Sequence, residues 1–286
     1  MAAGDSKRCG VNDLAMTVHF RPVFGVFALL LLVAGCGDDR DVYVDRPVDI
    51  IYNSAMDELL DGDFTKSAKE FDEVERQHPY SVWASKAELM AAYALYQAQK
   101  YDESVLALDR FIQLHPGNSD VVYAYYLKAL DYYVQITDVG RDQHNTELAL
   151  KSLQEVVRRF PDSKYARDAR IKIDLTRDHL AGKEMEVGRF YETQGEYLGA
   201  INRFRNVVDS YQTTTHVPEA LHRLTECYLA LGLTDEARKT AAVLGYNYPG
   251  SEWYKDSYAL LTDPNAAPQD TTVGKGWFAR VVSSIF

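Results

Sequence analysis

Cys36 is the residue of this chain best placed for covalent chemistry. It follows the apolar stretch Val23–Val33 and the small residues Ala34-Gly35, with Arg21 ahead of them. A basic start, a short apolar middle and small residues before a cut describe a secretory signal, and the stretch falls short of the roughly 20 apolar residues that span a bilayer. The expectation is a signal over residues 1–35, with 1–15 a misassigned start because Met16 would open a signal of ordinary length. Cleaved there, Cys36 becomes the first mature residue, whose thiol offers a place for an acyl chain; each buried CH₂ of such a chain contributes about 0.8 kcal/mol of membrane affinity. Cys9 is lost with the signal, so Cys227 is left without a disulfide partner. It lies in the apolar run LHRLTECYLALG, where a buried small residue is expected rather than a reactive thiol.

Other chemistry is sparse. His78 and His115 each precede a proline at a helix end, without a second ligand at i+4, so no metal site is expected. There is no HExxH, CxxC, phosphate-cradling glycine loop or GxSxG, which argues against catalysis and against a cofactor beyond the lipid on Cys36. A formal net charge of −11 repels phosphate backbones, so nucleic acid is excluded as a partner. What remains is recognition chemistry. Tyr93, Tyr96, Tyr123, Tyr125, Tyr126, Tyr132 and Tyr133 crowd two helical segments, and tyrosine offers a large rigid face with one polar tip. Most of such a stripe is inter-helix core; Tyr93, Tyr96, Tyr123 and Tyr126 are the candidates for contact with a bound peptide, with Tyr93 and Tyr126 facing an open groove. Asn202, Arg203 and Arg205, in AINRFR, put local positive charge on an acidic protein and are candidates for partner binding.

The elements that position these residues are legible as a repeat. Phe64, Ser67, Phe71, Val74 and Pro79 step forward by 3, 4, 3 and 5 residues. The same steps join Tyr101, Ser104, Leu108, Phe111 and Pro116, then Thr146, Ala149, Leu153, Val156 and Pro161. Tyr197, Ala200, Phe204, Val207 and Gln212 follow, and Thr234, Ala237, Ala241, Leu244 and Pro249 complete five units. Steps of 3 and 4 keep four side chains on one helical face. The small second residue admits a close neighbour, the third fills the gap beside it, and proline ends the helix. A two-turn apolar face cannot be buried alone, so the units must stack. Gln212 and the small Ala241 depart from the pattern and predict looser packing, or an open partner groove, in the fourth and fifth pairs.

The expected order is a tether over 36–48, five helix pairs over 49–261, a linker over 262–276 and an amphipathic tail over 277–286. Turns are expected at Asp61-Gly62-Asp63, Gln99-Lys100 and Gly195-Glu196, with a long helix from Tyr165 to Gln194, straight unless Gly182 bends it, and a terminal helix from Trp253 to Leu261. Asp120, Asp235 and Ser251 are expected N-caps. In the tail Trp277, Phe278, Val281, Val282, Ile285 and Phe286 share one face, so Trp277 and Phe278 are candidates either for docking a partner or for folding back on the repeats.

The frame matches the tetratricopeptide repeat, giving an all-α tetratricopeptide-repeat solenoid of five helix pairs with a flexible C-terminal linker and a short amphipathic tail. Its first helices are expected to line a concave side. Val33-Ala34-Gly35-Cys36 resembles the bacterial lipobox, and that resemblance implies that Cys36 is the lipidation site. The segment from Arg158 to Val208, with TDVGRDQ (137–143) and HPYSVWASKAELMAAYA (78–94), closely resembles the BamD family, lipoproteins of the machinery that assembles β-barrels in the outer membrane. That resemblance implies a lipid-anchored, non-catalytic scaffold at the periplasmic face of the outer membrane. It implies an N-terminal half that receives unfolded outer-membrane barrel proteins, and C-terminal repeats that bind the periplasmic domains of BamA and other Bam lipoproteins. Read from the repeats alone, an envelope lipoprotein organising cell-wall synthesis or division is the alternative.

Overall fold

The computed structural model describes residues 45–262, which form eleven helices and no strand. They are α1 (Val48–Asp61), α2 (Phe64–Gln77), α3 (Ala84–Gln97), α4 (Tyr101–Leu114), α5 (Val121–Tyr133), α6 (His144–Arg159), α7 (Lys164–Thr193), α8 (Tyr197–Ser210), α9 (Val217–Ala230), α10 (Thr234–Asn247) and α11 (Glu252–Thr262). Each packs on the next in sequence. In addition α3 meets α5, α5 meets α7, and α11 closes over α9 and α10. Five hairpins therefore stack, with α11 as a terminal cap that extends one residue beyond the expected segment at each end. Val48, expected in the tether, opens α1.

The repeat frame accounts for the core. Ser67, Ser104, Ala149, Ala200 and Ala237 have no exposed surface. The reason is the close approach of the first helix in each pair: Ser67 Oγ donates to the Ala55 carbonyl at 2.8 Å, and Ser104 Oγ lies 3.1 Å from that of Ala92. Phe71, Leu108, Leu153 and Phe204 are completely buried in the third frame position. Each such side chain contributes about 1.5–3 kcal/mol by leaving water. The apolar clusters repeat accordingly. Phe71 and Val74 join Ile51 of α1 and Ala87 of α3; Leu108 and Phe111 join Leu89 of α3 and Leu127 of α5; Leu153 and Val156 join Ala129 of α5 and Ile173 of α7. Every cluster thus takes in one hairpin and the first helix of the next.

Packing is not looser towards the end. The fourth and fifth pairs share one cluster running from Met185 through Phe204, Leu221 and Leu224 to Leu244. Trp253 and Tyr254 of α11 pack against it, and Tyr254 sits so close over Gly245 that a Cβ there would lie 2.4 Å from its ring. The cap thus closes the end of this last core.

Two kinds of turn recur. Between the helices of a pair, Gly62, Gly195 and Gly232 adopt left-handed φ, and Gln99 adopts φ 61° at the same place. In each case the next amide reaches back five residues, as Lys100 does to Leu95 at 2.9 Å, which is the Schellman ending. Between pairs, the chain closes a four-residue turn after each second helix. Ser81, Asn118, Ser163, Thr214 and Ser251 donate to the carbonyls of His78, His115, Phe160, Tyr211 and Tyr248 at 2.9–3.1 Å. The turn starting at Tyr211 contains Gln212 instead of proline, yet Tyr211 (φ −125°, ψ 41°) ends α8 as His115 (φ −124°, ψ 51°) ends α4. Proline favours this turn, but the hydrogen bonds and the buried face make it without one.

Of the expected N-caps, Asp120 occupies the N-cap position of α5 without a side-chain hydrogen bond, and Asp235 lies instead inside the first turn of α10. Ser251 stands directly before α11, and its carbonyl accepts from the Tyr254 and Lys255 amides as an N-cap's does. The capping side chains are Asp63, for α2, and Ser163, which accepts from the Ala166 amide at 3.0 Å. Gly182 does not interrupt α7, whose 30 residues span about 45 Å. Its missing side chain instead admits Val139 and His216. Val139 belongs to the 134–143 loop, held by Gln143 Nε2 on the carbonyls of Asp138 and Arg141 (3.2 and 3.0 Å) and by Lys183 Nζ on that of Gly140 (3.2 Å).

Candidate functional site

Tyr93 and Tyr96 on α3, and Tyr123 and Tyr126 on α5, are each spaced i, i+3, so each pair lies on one helical face. All four are half-buried. The rings of Tyr93 and Tyr96 stack with centroids 6.5 Å apart, and Tyr96 meets Tyr101 of α4 at 6.0 Å. Tyr123 and Tyr126 converge on Tyr165 of α7, at 5.6 and 5.1 Å. Since α3 packs on α5 and α5 on α7, an aromatic band crosses three successive first helices. Tyr125, Tyr132 and Tyr133 lie outside these ring contacts. Tyr125 packs on Phe160 at 5.5 Å and lies under Arg159, while Tyr133 lies under Lys172.

The hydroxyls of the band are set by neighbours. Tyr126 donates to Asp168, which also pairs with Lys172 at 2.9 Å. Burial, then the Asp168 bond, pushes the Tyr126 phenol above its ordinary range, and burial chiefly does the same for Tyr123. Tyr126 therefore stays protonated, and its bond holds the Asp168 carboxyl below the ordinary range. Tyr93 Oη accepts from Gln97 Nε2 at 2.5 Å, so its own hydrogen can serve an incoming carbonyl. Flat apolar faces with fixed polar tips suit an extended peptide of mixed side chains.

Tyr165 and Asp168 are the residues missing from the expected set. They carry the same i, i+3 spacing on the next first helix, and that is the signal that identifies them. Asn202, Arg203 and Arg205 all lie exposed on α8. Arg203 Nη1 is 3.3 Å from Glu184 of α7, which fixes the direction of its guanidinium. Cys36, Trp277 and Phe278 lie outside the described residues. Among the described residues, no helix is long and apolar enough to cross a membrane. His115 Nε2 lies 3.0 Å from Glu88, and His78 Nε2 lies 2.7 Å from the Arg46 carbonyl; both close helix ends.

Beneath α8 the core is polar as well as apolar. Arg223 of α9 is buried, with Nη1 3.0 Å from Glu226 and Nε 3.9 Å from Glu192 of α7. Its guanidinium lies over the Trp253 ring, and His222 Nδ1 is 2.8 Å from Ser257 Oγ. Burial and then the Glu226 charge push the Glu192 carboxyl up, against the pull of Arg223. Cys227 is completely buried with Sγ 3.7 Å from Glu192, and burial raises its thiol far beyond reactivity. These groups tie α7, α9 and α11 together.

The sequence matches the YfiO family, described as outer membrane lipoprotein, over residues 44–244. It is 49% identical over 254 residues to the outer membrane protein assembly factor BamD of Caulobacter vibrioides, covering 87% of this chain and 83% of that one. Against the protein of the same name in Rickettsia prowazekii it is 49% identical over 232 residues, covering 81% of this chain and 92% of that one. The solved P58(IPK) TPR domain matches with a TM-score of 0.39 at 15% identity, covering 83% of this chain and 66% of that one. With a family match across most of its length and relatives at this identity, the chain belongs to the YfiO family of outer membrane lipoproteins, the family of the BamD assembly factors.

Proposed function

We propose that this protein is a non-catalytic, lipid-anchored scaffold for outer-membrane protein assembly, held at the periplasmic face of the outer membrane through Cys36. The signal would occupy residues 1–35, the tether the residues up to α1, and a linker and amphipathic tail would follow α11. Unfolded barrel segments are received on the aromatic band of Tyr93, Tyr96, Tyr123 and Tyr126, extended by Tyr165. The exposed α8 face of Asn202, Arg203 and Arg205 offers cations to carboxylates of BamA, and other Bam lipoproteins and the tail residues Trp277 and Phe278 complete the contacts. The observation that carries this reading is the run of ring contacts over α3, α5 and α7, half-buried and furnished with fixed hydroxyls.

The test joins capture with crosslinking. Full-length protein with a photoreactive phenylalanine at Tyr96 or Tyr126 is expected to crosslink barrel precursors in cells. Capture of the unmodified chain is expected to recover BamA, and R203E is expected to lower that recovery. Capture without any barrel-assembly subunit, and crosslinks no richer at these positions than at exposed Leu198, would refute the proposal.

A further inference from the structure

A second surface lies apart from the aromatic band, between α6 and α7. Residues 154, 157 and 158 form one stripe on α6, and residues 170, 173, 174 and 177 form another on α7 at i, i+3, i+4 and i+7. In an ordinary hairpin stack those four α7 positions would be apolar and would close on α6. Here they read Arg, Ile, Asp and Arg, and the helices leave a cleft of about 450 Å³ lined by Gln154, Val157, Arg158, Arg170, Ile173 and Arg177, with Asp174. That volume lies within the range of about 300–1,000 Å³ typical of ligand sites.

Three guanidiniums thus face one carboxylate, in a chain whose formal charge is −11. Most arginines of the described residues are matched to acids on the surface, as Arg110 is to Glu75 and Arg189 to Glu219. Those of the cleft are matched weakly, as Arg158 is, or not at all, as with Arg170 and Arg177. Arg158 Nη2 is 3.8 Å from Glu155, at the limit of an ion pair. Arg170 spends one nitrogen on the Pro161 carbonyl at 2.9 Å, and neither Arg170 nor Arg177 has a carboxylate within ion-pair distance among the described residues. Guanidinium forks bind carboxylates two bonds at a time, so unmatched arginines around a cleft constitute an acceptor for acidic side chains.

We infer that the α6–α7 cleft is a docking site for an acidic, extended peptide segment of a partner protein, carrying an aliphatic residue beside its carboxylates. Val157 and Ile173 supply apolar surface between the arginines, which an aliphatic side chain covers and a phosphate does not. Asp174 on the same wall disfavours a dense polyanion while leaving room for single carboxylates. Arg170 and Arg177 are seven residues apart on one helix, a rise of about 10 Å. In an extended chain that distance separates residues about three positions apart, so the segment bears two acids at that interval.

The experiment uses the full-length protein in detergent on an array of extended hexapeptides in which Asp, Glu, Asn, Gln, Leu and Lys are exchanged at every position. Wild-type protein is expected to bind peptides with two acids and a leucine about tenfold or more tightly than their amide counterparts, with strong salt dependence. R170A/R177A is expected to reduce that preference to less than about threefold while leaving the helical circular dichroism unchanged, since Arg170 is exposed and Arg177 only half-buried. R158A, on the opposite wall, tests the same site should the double variant lose structure. An absent acid-over-amide preference, or one retained in both variants, overturns the inference. Phosphatidylglycerol vesicles that capture wild type but not R170A/R177A, with no acid preference on the array, would assign the cleft to lipid and overturn it equally.

Discussion

Replacing Asp131 with asparagine should stabilise the protein, and by clearly more above neutral pH than at pH 5. Asp131 is completely buried on α5. Its Oδ2 lies 2.8 Å from Ser104 Oγ, and its Oδ1 has no hydrogen-bond partner. Ser104 Oγ is also 3.1 Å from the Ala92 carbonyl, and one hydroxyl hydrogen cannot serve both acceptors. A protonated Asp131 resolves the conflict, donating to Ser104 while Ser104 donates to Ala92. Burial pushes this carboxyl from 3.8 up to about 7, opposed by the Ser104 bond and reinforced by the Asp102 charge. Because the folded value lies above the unfolded one, the proton is held more tightly in the folded state. The stabilisation is complete below about pH 4 and is lost as pH rises through about 7. Three units at 1.36 kcal/mol each set a ceiling of about 4 kcal/mol, and relaxation around the carboxylate lowers it to about 2–4 kcal/mol. Asparagine keeps the shape and supplies an N–H to Ser104 at every pH. Urea unfolding followed by circular dichroism at pH 5 and 8.5 measures both chains. From pH 5 up to about 7 only two of those three units are traversed, so wild type should lose about 1–3 kcal/mol more than D131N between these values, while groups such as Glu192 contribute alike to both and cancel. Parallel pH profiles, or a D131N deficit of the same size at both pH values, would refute a neutral buried acid.

Three further substitutions probe the frame. G188A would place a Cβ 2.4 Å from the ring of completely buried Phe204, and should cost about 1–3 kcal/mol in thermal unfolding, with F204L in the same chain restoring part of it. Q99G removes a left-handed glutamine where three other hairpins use glycine, and should gain about 0.5–1 kcal/mol, a rise of about 1–4 °C in melting temperature. R223L strips the buried cation from between Glu192 and Glu226. It should cost about 3–5 kcal/mol at pH 8 by urea unfolding, and clearly less at pH 5, where the raised Glu192 carboxyl takes up a proton.

The stacking was readable from residue types because its cause is local. A small residue followed at steps of 4 and 3 by large apolar ones can bury only against another helix, and Ser67, Phe71 and Val74 do so completely, as do their counterparts in the next three units. Proline was a poorer guide, since the turn at Tyr211 forms on hydrogen bonds that any residue can make. The N-caps were a poorer guide too: Asp120 stands at the N-cap of α5 without a capping side-chain bond, and Asp235 falls inside the first turn of α10. Two of the three helices of the aromatic band were visible as i, i+3 tyrosine pairs. Its third member required knowing that α7 begins beside α5, a contact between residues some 40 positions apart in sequence, as in the Tyr126–Asp168 bond. The buried Arg223 cluster is of the same kind. Each of its residues reads as an ordinary helix-surface charge until α7, α9 and α11 are brought together.

Helix α7 shows why this chain is more than five equal hairpins. It has 30 residues where the other first helices have 13 or 14, and it carries three different faces along its length. Tyr165, Asp168 and Lys172 face α5 and complete the aromatic band. Arg170, Ile173, Asp174 and Arg177 face α6 and form the cationic cleft. Met185, Gly188 and Glu192 enter the last core, with Phe204 of α8 and the Arg223 cluster. From Tyr165 to Gly188 the helix rises about 35 Å. A helix of ordinary length could join one neighbouring pair to the next, but it could not anchor the aromatic band at one end and the support of the α8 face at the other. Gly182 leaves the helix unbroken, so the two ends are held at a fixed separation by backbone hydrogen bonds. A packing fault at Gly188 should therefore disturb α8 and its arginines while leaving the tyrosines of α3 and α5 in place, because the clusters they belong to share no residue with the last core.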